Sequence, residues 1–459
     1  MQELKKLFNK RIAILGLGIE NYALIKYVLN KKIDCVITIC DIRSKEELGE
    51  KYEKLKKYKN IIWKIGKNYN KNLEKFDILF RSPGWPIKQV KSLKFKVKSS
   101  LSSPMQLFFE LCPTKNIIGI TGTKGKGTTA SLIYEMLKTS GKRVWLGGNI
   151  GVAPFDFLAK IKKNDWVILE LSSFQLEDMT ISPHIAVITN FYSEHLAPVD
   201  PNNPNYHKNL KEYRNAKLNI VKLQKKKNWV ILNFKLQILN FKLNTKAKII
   251  YFKKSELCSQ LIGEHNKENI AAAIEVAKII GLNKNIIIKA VKNFKGLEHR
   301  LELAREYQGV KYYNDSFATT PEATIVALKS FNQPIIILLG GAEKKSDFSQ
   351  LVKEVKKQCK FIILLNGAAT KRINQELIKA GFPKEKIKFF LDINQAVKTA
   401  SKIAVFGDIV LLSTACASFG MFKNYKERGD LFKQAVNKDL SPNTVSGDRP
   451  FKIYRVIKL

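Results

Sequence analysis

Short apolar runs of four to six residues recur along the chain. Each is followed by a glycine-bearing or polar turn and then by a stretch with apolar positions at helical spacing. Repetition of strand, turn and amphipathic helix predicts parallel sheets covered by helices. Three segments show it. The first reads as strand 11–15, a glycine turn, a helix near 22–30, strand 35–40 and a further strand at 76–80, ending in LKFKVKSSLSSP as a boundary. The second opens with strand 116–120, a glycine loop and a helix over 128–139 stopped by Gly141, and continues with strands at 166–169 and 185–189. The third holds strands at 334–339, 361–365 and 409–412. The expected class is α/β, with three domains at 1–99, 100–298 and 299–459, each a mostly parallel sheet with covering helices. Two stretches stand apart. ILNFKL occurs at 231–236 and again at 238–243, which reads as a strand-rich local duplication, and the tail after Val436 carries no assignable pattern.

A length of 459 residues suits about three domains. With 45% hydrophobic and 26% charged residues, neither wholesale disorder nor a fibrous repeat fits. The apolar runs are far shorter than the ~20 residues that span a bilayer, so no membrane span is expected. The start, MQELKKLFNKRIAILGLG, reads as a first strand and not as a leader. Six dispersed cysteines (35, 40, 112, 258, 359, 416) form no CxxC pair, which argues against disulfides or zinc and for a reducing cytoplasm. The 80 basic residues exceed the 40 acidic by 40. Such an excess raises nucleic-acid binding as an alternative. The lysines, however, are spread along the whole chain without a basic arm. Compositional bias on solvated faces, with anionic small-molecule substrates, accounts for them better.

The strongest local signal is TGTKGKGTT, residues 121–129, between a strand and a helix. Gly122 and Gly125 let the backbone curl so that N–H groups face one point. The helix N-terminus adds partial positive charge, and Lys126 adds a full one. Gly122, Thr123, Lys124, Gly125, Lys126, Gly127 and Thr128 thus form a candidate phosphate cradle. Gly127 stands where a Mg²⁺-binding hydroxyl is expected, and Thr128 is the substitute. The bland alternative is a glycine-rich turn with an incidental lysine. Glu170, in WVILELSSFQLE, ends a buried strand, where a carboxylate could hold Mg²⁺ or simply be a solvated rim residue. His195, in ITNFYSEHLAP, follows the next strand; most of the five histidines (184, 195, 207, 265, 299) should be structural. GLGIEN places Gly16 and Gly18 after a strand, with Asp41 ending the second strand. Asn21 replaces the third glycine of a dinucleotide fingerprint, so a mononucleotide or diphosphate fits as well as NAD. In the third segment, YYNDSFATTPEAT, LLGGAEKKSDF and LLSTACASFGMFKNYKERG are polar loops at strand ends that suit an anionic ligand.

Taken together, these segments resemble the Mur ligase family, with landmarks in family order from Gly16 to Gly429. They are the TGTxGK loop, the Glu-bearing strand end, HNxxN (His265, Asn266, Asn269) and the arginine of LEHR (Arg300). NDSFATTPEAT, the GG–Lys–DF loop and ACAS–FKN–ERG resemble the branch that adds D-glutamate. The resemblance implies a Rossmann-like N-terminal domain, a P-loop-like central ATPase domain and a Rossmann-like C-terminal domain. It implies cytoplasmic ATP-dependent amide-bond formation between UDP-N-acetylmuramoyl-L-alanine and D-glutamate through an acyl phosphate, in peptidoglycan precursor synthesis. A monomer with no specific nucleic-acid partner is expected.

By the same resemblance, Lys126 and the loop amides hold the β/γ-phosphates, and Thr128, Glu170 and His195 serve Mg²⁺, with two ions expected. Lys217, in EYRNAKLN, matches a lysine that becomes a carbamate beside the metal. Asn269, Arg300 and Asp315 match ATP contacts. Gly18, Asp41, Arg43, Ser82 and Gly84 match the uracil-nucleotide pocket, and Asn149 and Ser172 the sugar–alanine part. Thr319, Lys344, Ser418 and Tyr425 match the D-glutamate pocket. Three departures stand out: Gly127 in the loop, Phe317 where a lysine is often found, and a short 217–265 stretch carrying the duplication. The competing readings are another amino-acid-adding ligase of the superfamily, a nucleic-acid-binding ATPase, and a dehydrogenase using the GLG turn.

Overall fold

The computed structural model describes residues 2–94, 100–192, 205–238, 243–343 and 346–439. The chain divides into two compact units, residues 1–294 and 295–459. Three sheets build them. The first contains β1 (Lys10–Leu15), β2 (Cys35–Asp41), β3 (Ile61–Ile65), β4 (Ile78–Arg81) and β5 (Ser100–Ser102), in the order β3-β2-β1-β4-β5. Every pair in it is parallel. The expected boundary stretch therefore ends inside the first sheet: Ser100–Ser102 pairs with Ile78–Phe80.

The second sheet contains β6 (Ile117–Thr121), β7 (Val144–Gly148), β8 (Trp166–Glu170), β9 (Ile185–Ile188), β10 (Trp229–Asn233) and β11 (Lys248–Phe252). Its order is β11-β10-β9-β6-β8-β7, again all parallel. The central strand β6 is buried at all five positions, as a parallel strand covered on both faces must be. On one face its Ile118 and Ile120 pack with Leu132 and Ile133 of the Lys126–Thr139 helix and with Ala271–Ala273 and Val276 of the Glu264–Ile279 helix. The other face shares one continuous core with the first sheet, through Leu169, Ile188, Phe108 and Phe157 to Ile12, Ile14 and Leu24. The first two sheets thus lie in one unit.

In the second unit, β12 (Glu302–Tyr307), β13 (Val310–Asn314), β14 (Ile335–Leu339), β15 (Cys359–Leu365), β16 (Ile387–Phe390) and β17 (Ile409–Leu412) take the order β12-β13-β17-β14-β15-β16. Only β12 is antiparallel, paired with β13 as a hairpin. In each sheet the chain reverses its direction of strand addition beside a central strand (β1, β6, β17). Open α/β sheets bind ligands at such points. Of the ILNFKL duplication, the first copy splits between the end of β10 and the Phe234–Ile238 helix; most of the second lies outside the described residues. Among the described residues no helix is long and apolar enough to cross a membrane.

Candidate active site

The phosphate loop leaves β6 at Thr121 and enters the Lys126–Thr139 helix. Two of its glycines are dictated by contact and conformation. Gly122 has φ +142°, and a Cβ there would lie 2.0 Å from Thr189 Oγ1; Gly125 has φ +81°, and a Cβ would lie 2.1 Å from Asn269 Oδ1. Neighbouring strands and helices clamp the loop further. The Lys124 amide donates to Asn190 Oδ1 at 2.9 Å, and Thr189 Oγ1 donates to the Lys124 carbonyl at 2.7 Å. Thr123 Oγ1 meets Tyr213 Oη at 2.9 Å. Lys126 Nζ donates to the carbonyls of Gly122 and Thr123, at 3.1 and 2.9 Å, so its charge stays over the loop. Gly127 is buried in the first helical turn, and Thr128 is half-buried beside it.

Asn269 stands where the loop meets the Glu264–Ile279 helix: it accepts from Thr129 Oγ1 at 3.4 Å and donates to Asn266 Oδ1 at 2.9 Å. Glu170, the last residue of β8, is 4% exposed and not a solvated rim residue. Its Oε1 accepts from Asn149 Nδ2 at 3.0 Å, and its carbonyl accepts from the Asn149 amide. Lys217 is the residue for which the sequence offered least. Among the described residues it is the one buried lysine, 2% exposed. It sits one turn after Tyr213 on the buried face of the Leu210–Lys222 helix, with Nζ 4.7 Å from the Tyr213 ring centroid. That Nζ donates to the Gly122 carbonyl at 2.8 Å. The structure therefore brings Lys126, Lys217 and the loop together, and links Glu170 to Asn149 at the neighbouring strand end.

In the same unit, a cleft of about 180 Å³ that reaches Asn149, the partner of Glu170, is lined by Gly18, Glu20, Ser82, Asn149 and Gln175 among others. Three of these were expected there; Glu20 and Gln175 were not. Gln175 Nε2 donates to Glu20 Oε1, joining the Ile19–Asn30 helix to the Ser173–Leu176 helix, which Ser172 caps. Burial pushes the Glu20 carboxyl up to about 7, nearby Asp178 adds to this, and Gln175 and Arg81 oppose it. Asp41 accepts from the Leu17 amide at 2.6 Å and from Arg43 Nη2 at 2.7 Å. Burial alone would raise its pKa, but the Arg43 side chain and the two backbone amides outweigh that and hold it below the usual carboxylate value. Gly84 lies on the exposed turn after Ser82.

Asn21, fully buried, donates to the Gly16 carbonyl at 2.8 Å and more weakly to those of Leu15 and Phe80. A side chain thus fills the place of a dinucleotide fingerprint's third glycine. Arg81, 1% exposed, ties β4 to the Ser173–Leu176 region through Asp178 at 2.7 Å, Glu177 at 3.3 Å and the Phe174 carbonyl at 2.6 Å.

In the second unit, Asp315 follows β13 and accepts from Ser413 Oγ at 2.8 Å and from the Leu301 amide at 3.2 Å. Burial pushes its carboxyl up to about 7 against these bonds and the charges of Arg300 and Arg428. Arg428, 1% exposed, donates to the Ser316 hydroxyl and carbonyl at 2.9 and 2.7 Å and to the Cys416 carbonyl at 3.2 Å. Burial lowers its pKa to about 10. Thr319 is half-buried ahead of the Pro321–Leu328 helix, Ser418 is buried, and Tyr425 opens the Tyr425–Asp439 helix. His195 and Lys344 lie outside the described residues. Arg81, Gln175 and Tyr213 were missed, because only long-range contacts mark them, and Arg428 was given no role although it lies in the ERG landmark.

Two family models match the chain: the Mur ligase middle domain over residues 120–259, and the Mur ligase glutamate ligase domain over residues 299–416. A UDP-N-acetylmuramoylalanine–D-glutamate ligase of Acetivibrio thermocellus is 38% identical over 467 residues, covering 94% of this chain and 97% of the relative. One of Clostridium acetobutylicum is 38% identical over 460 residues, covering 94% and 96%. Among solved structures, the fold is similar to that of a MurF ligase from Thermotoga maritima, with a TM-score of 0.57 at 16% identity over 95% of this chain and 96% of that one. The UDP-N-acetylmuramate–alanine ligase MurC from the same organism gives 0.56 at 18% identity, over 94% and 100%. With matches running through both units and nearly end to end, the chain belongs to the Mur ligase family.

Proposed function

We propose that this protein adds D-glutamate to UDP-N-acetylmuramoyl-L-alanine, consuming ATP and releasing ADP and phosphate, in peptidoglycan precursor synthesis. The carrying observation is the near full-length likeness, at 35–38% identity, to relatives named UDP-N-acetylmuramoylalanine–D-glutamate ligase. The phosphate loop clamped by Thr189, Asn190 and Asn269 supplies the geometry that such a reaction needs. In the proposed division, residues 1–99, whose sheet runs on to Ser102, bind the uracil nucleotide, the rest of 100–298 bind ATP and 299–459 bind the amino acid. The enzyme is proposed to work in the cytoplasm as a monomer, without a specific nucleic-acid partner.

The acceptor's alanine carboxylate attacks the γ-phosphorus and ADP leaves, which yields an acyl phosphate. The D-glutamate amine then adds to the acyl carbon, loses a proton and expels phosphate. Lys126 and the loop amides neutralise charge on the transferring phosphoryl group, so catalysis rests on positioning and preorganised charge. Asn149 orients Glu170 while the cleft beside Gly18 and Ser82 holds the nucleotide–sugar. Thr319, Lys344, Ser418 and Tyr425 are proposed to hold D-glutamate, and Asn269, Arg300 and Asp315 to contact ATP.

Glu170, buried with a hydrogen-bonded carboxylate at a strand end, offers the hard oxygen that Mg²⁺ takes, and Thr128, His195 and a carbamate formed on Lys217 would complete its surroundings. Mg²⁺ bound there supplies charge neutralisation for the phosphate oxygens. Two ions are proposed.

Phosphate release from ATP, measured with UDP-N-acetylmuramoyl-L-alanine and each candidate amino acid in turn, tests the reading. Release that requires the acceptor, D-glutamate and Mg²⁺ together is expected. Turnover with a different amino acid would move the protein to another branch. Turnover stimulated by nucleic acid and not by the acceptor would overturn the assignment.

A further inference from the structure

The family resemblance leaves Phe317 as a departure without a role, yet the second unit builds a small assembly around it. Arg300 is bracketed by two non-glycine residues in the left-handed region, His299 at φ +63° and Leu301 at φ +44°. Such conformations persist only where surrounding structure holds them. Here the His299 amide donates to Glu302 Oε2 at 2.9 Å, the Leu301 amide to Asp315 Oδ1, and the His299 ring nitrogen Nδ1 meets Asn314 Nδ2 at 3.0 Å. Phe317 is fastened to the same turn, its amide donating to the His299 carbonyl at 3.0 Å. The Arg300 guanidinium lies 3.8 Å from the centroid of the Phe317 ring. The edge of that ring system meets Tyr425, with centroids 5.0 Å apart and planes at 86°, and Tyr425 in turn meets His299 edge-on at 5.9 Å. The Phe317 side chain is 39% exposed, so its burial in a core does not explain it.

We propose that Phe317 is a positioning residue that holds the Arg300 guanidinium by cation–π stacking and couples it, through Tyr425, to the amino-acid pocket. The inference rests on the ligase reading above, in which Arg300 faces ATP and Tyr425 faces D-glutamate. A planar cation stacked on an aromatic face loses fewer orientations than one free in solvent, so a nucleotide finds its partner preformed. A lysine at 317 would supply charge to the site; Phe317 supplies order to a charge already present.

The test compares the full-length enzyme with its Phe317→Leu and Phe317→Tyr variants, measuring kcat and KM separately for ATP, D-glutamate and UDP-N-acetylmuramoyl-L-alanine. Cation–π stacking at a partly exposed site corresponds to roughly a 2- to 30-fold change in affinity. Phe317→Leu should raise KM for ATP about fivefold and KM for D-glutamate by a smaller factor, leaving KM for the nucleotide–sugar within about twofold. Phe317→Tyr keeps the ring face and should return both constants to near their original values. In an Arg300→Met background, which removes the cation, the Leu substitution should add nothing further. ADP binding to the free protein, followed by calorimetry, reads the same arginine without turnover and should weaken in step with KM for ATP. Equal effects of Leu and Tyr, an equal rise in all three KM values, or additivity with Arg300→Met would each overturn the proposal. A parent enzyme that releases no phosphate with its three substrates would instead sink the ligase reading.

Discussion

The phosphate loop of the first unit and the Asp315 region of the second are both strand-end sites at a switch point, but they are built by different means. The loop is clamped mainly by neutral hydrogen bonds from Thr123, Thr189, Asn190 and Asn269 around glycines that nothing larger can replace, with the ammonium groups of Lys126 and Lys217 donating to its carbonyls. The Asp315 region is built on buried ionisable groups: Arg428 at 1% exposure and Asp315 at 6%, its carboxyl pushed up to about 7 by burial, with Arg300 on an aromatic face. A scaffold of neutral bonds tolerates the loss of one member. A scaffold of buried ions leaves uncompensated groups when one is removed. The two regions should therefore fail differently when mutated.

The largest expected effect is on stability. Arg428→Ala removes three hydrogen bonds to Ser316 and Cys416 and opens a cavity, at a cost of about 4 kcal/mol. Scanning calorimetry should show the transition of residues 295–459 falling by on the order of 10 °C, with the first unit unmoved. Thr189→Val, which removes one neutral bond to the phosphate loop, should cost only about 1 kcal/mol. Comparable losses would erase the contrast between the two regions.

Next come the charges that act on phosphate. Lys126→Ala should lower kcat by a hundredfold or more, about 3 kcal/mol of transition-state stabilisation, with little change in melting temperature. Lys217→Ala should be nearly inactive and partly rescued by acetate or formate, because a carbamate would be replaced by a free carboxylate. Exposed Lys222, on the same helix, should matter by no more than about 0.5 kcal/mol when replaced by Ala. If Lys217→Ala behaves like Lys222→Ala, the buried bond to Gly122 is structural and the carbamate proposal falls.

This contrast also explains what could be read before the fold was known. Strands buried on both faces, such as β6 (IIGIT), β14 (IIILL) and β17 (IVLL), announce themselves as apolar runs. Edge strands such as β11 (KIIYF), β12 (ELAREY) and β16 (IKFF) expose a face and carry lysine or glutamate, so no run marks them. Likewise the glycines and Lys126 of the phosphate loop are local in sequence, and their roles follow from spacing. Lys217 lies 95 residues from Gly122, Arg428 lies 112 from Ser316, and Arg81 lies 97 from Asp178. Composition and spacing distinguish none of those side chains until the sheets bring their partners to them; only the family resemblance picked out Lys217 and the motif around Arg428.

The smallest expected effect concerns Glu20, a carboxyl of raised pKa in the unit whose phosphate loop is clamped mainly by neutral bonds. Its carboxyl, with an ordinary value of 4.5, is pushed up to about 7 by burial, with Asp178 adding to the shift and Gln175 and Arg81 opposing it. Because the folded state holds this proton more tightly than the unfolded chain, its contribution to stability is complete below about pH 4.5 and is lost as pH rises through about 7. Glu20→Gln should flatten that part of the melting-temperature profile. The same ionisation puts a negative charge at the head of the Ile19–Asn30 helix, in the cleft proposed for an anionic nucleotide–sugar. A partly solvated charge pair is worth about 0.5–1 kcal/mol, so KM for the acceptor should rise about threefold between pH 6 and pH 8. Glu20→Gln should remove the rise without changing KM for ATP. A variant that keeps the pH dependence would place the titrating group elsewhere, and one that raises KM equally at both pH values would make Glu20 a cleft-closing partner of Gln175 and nothing more.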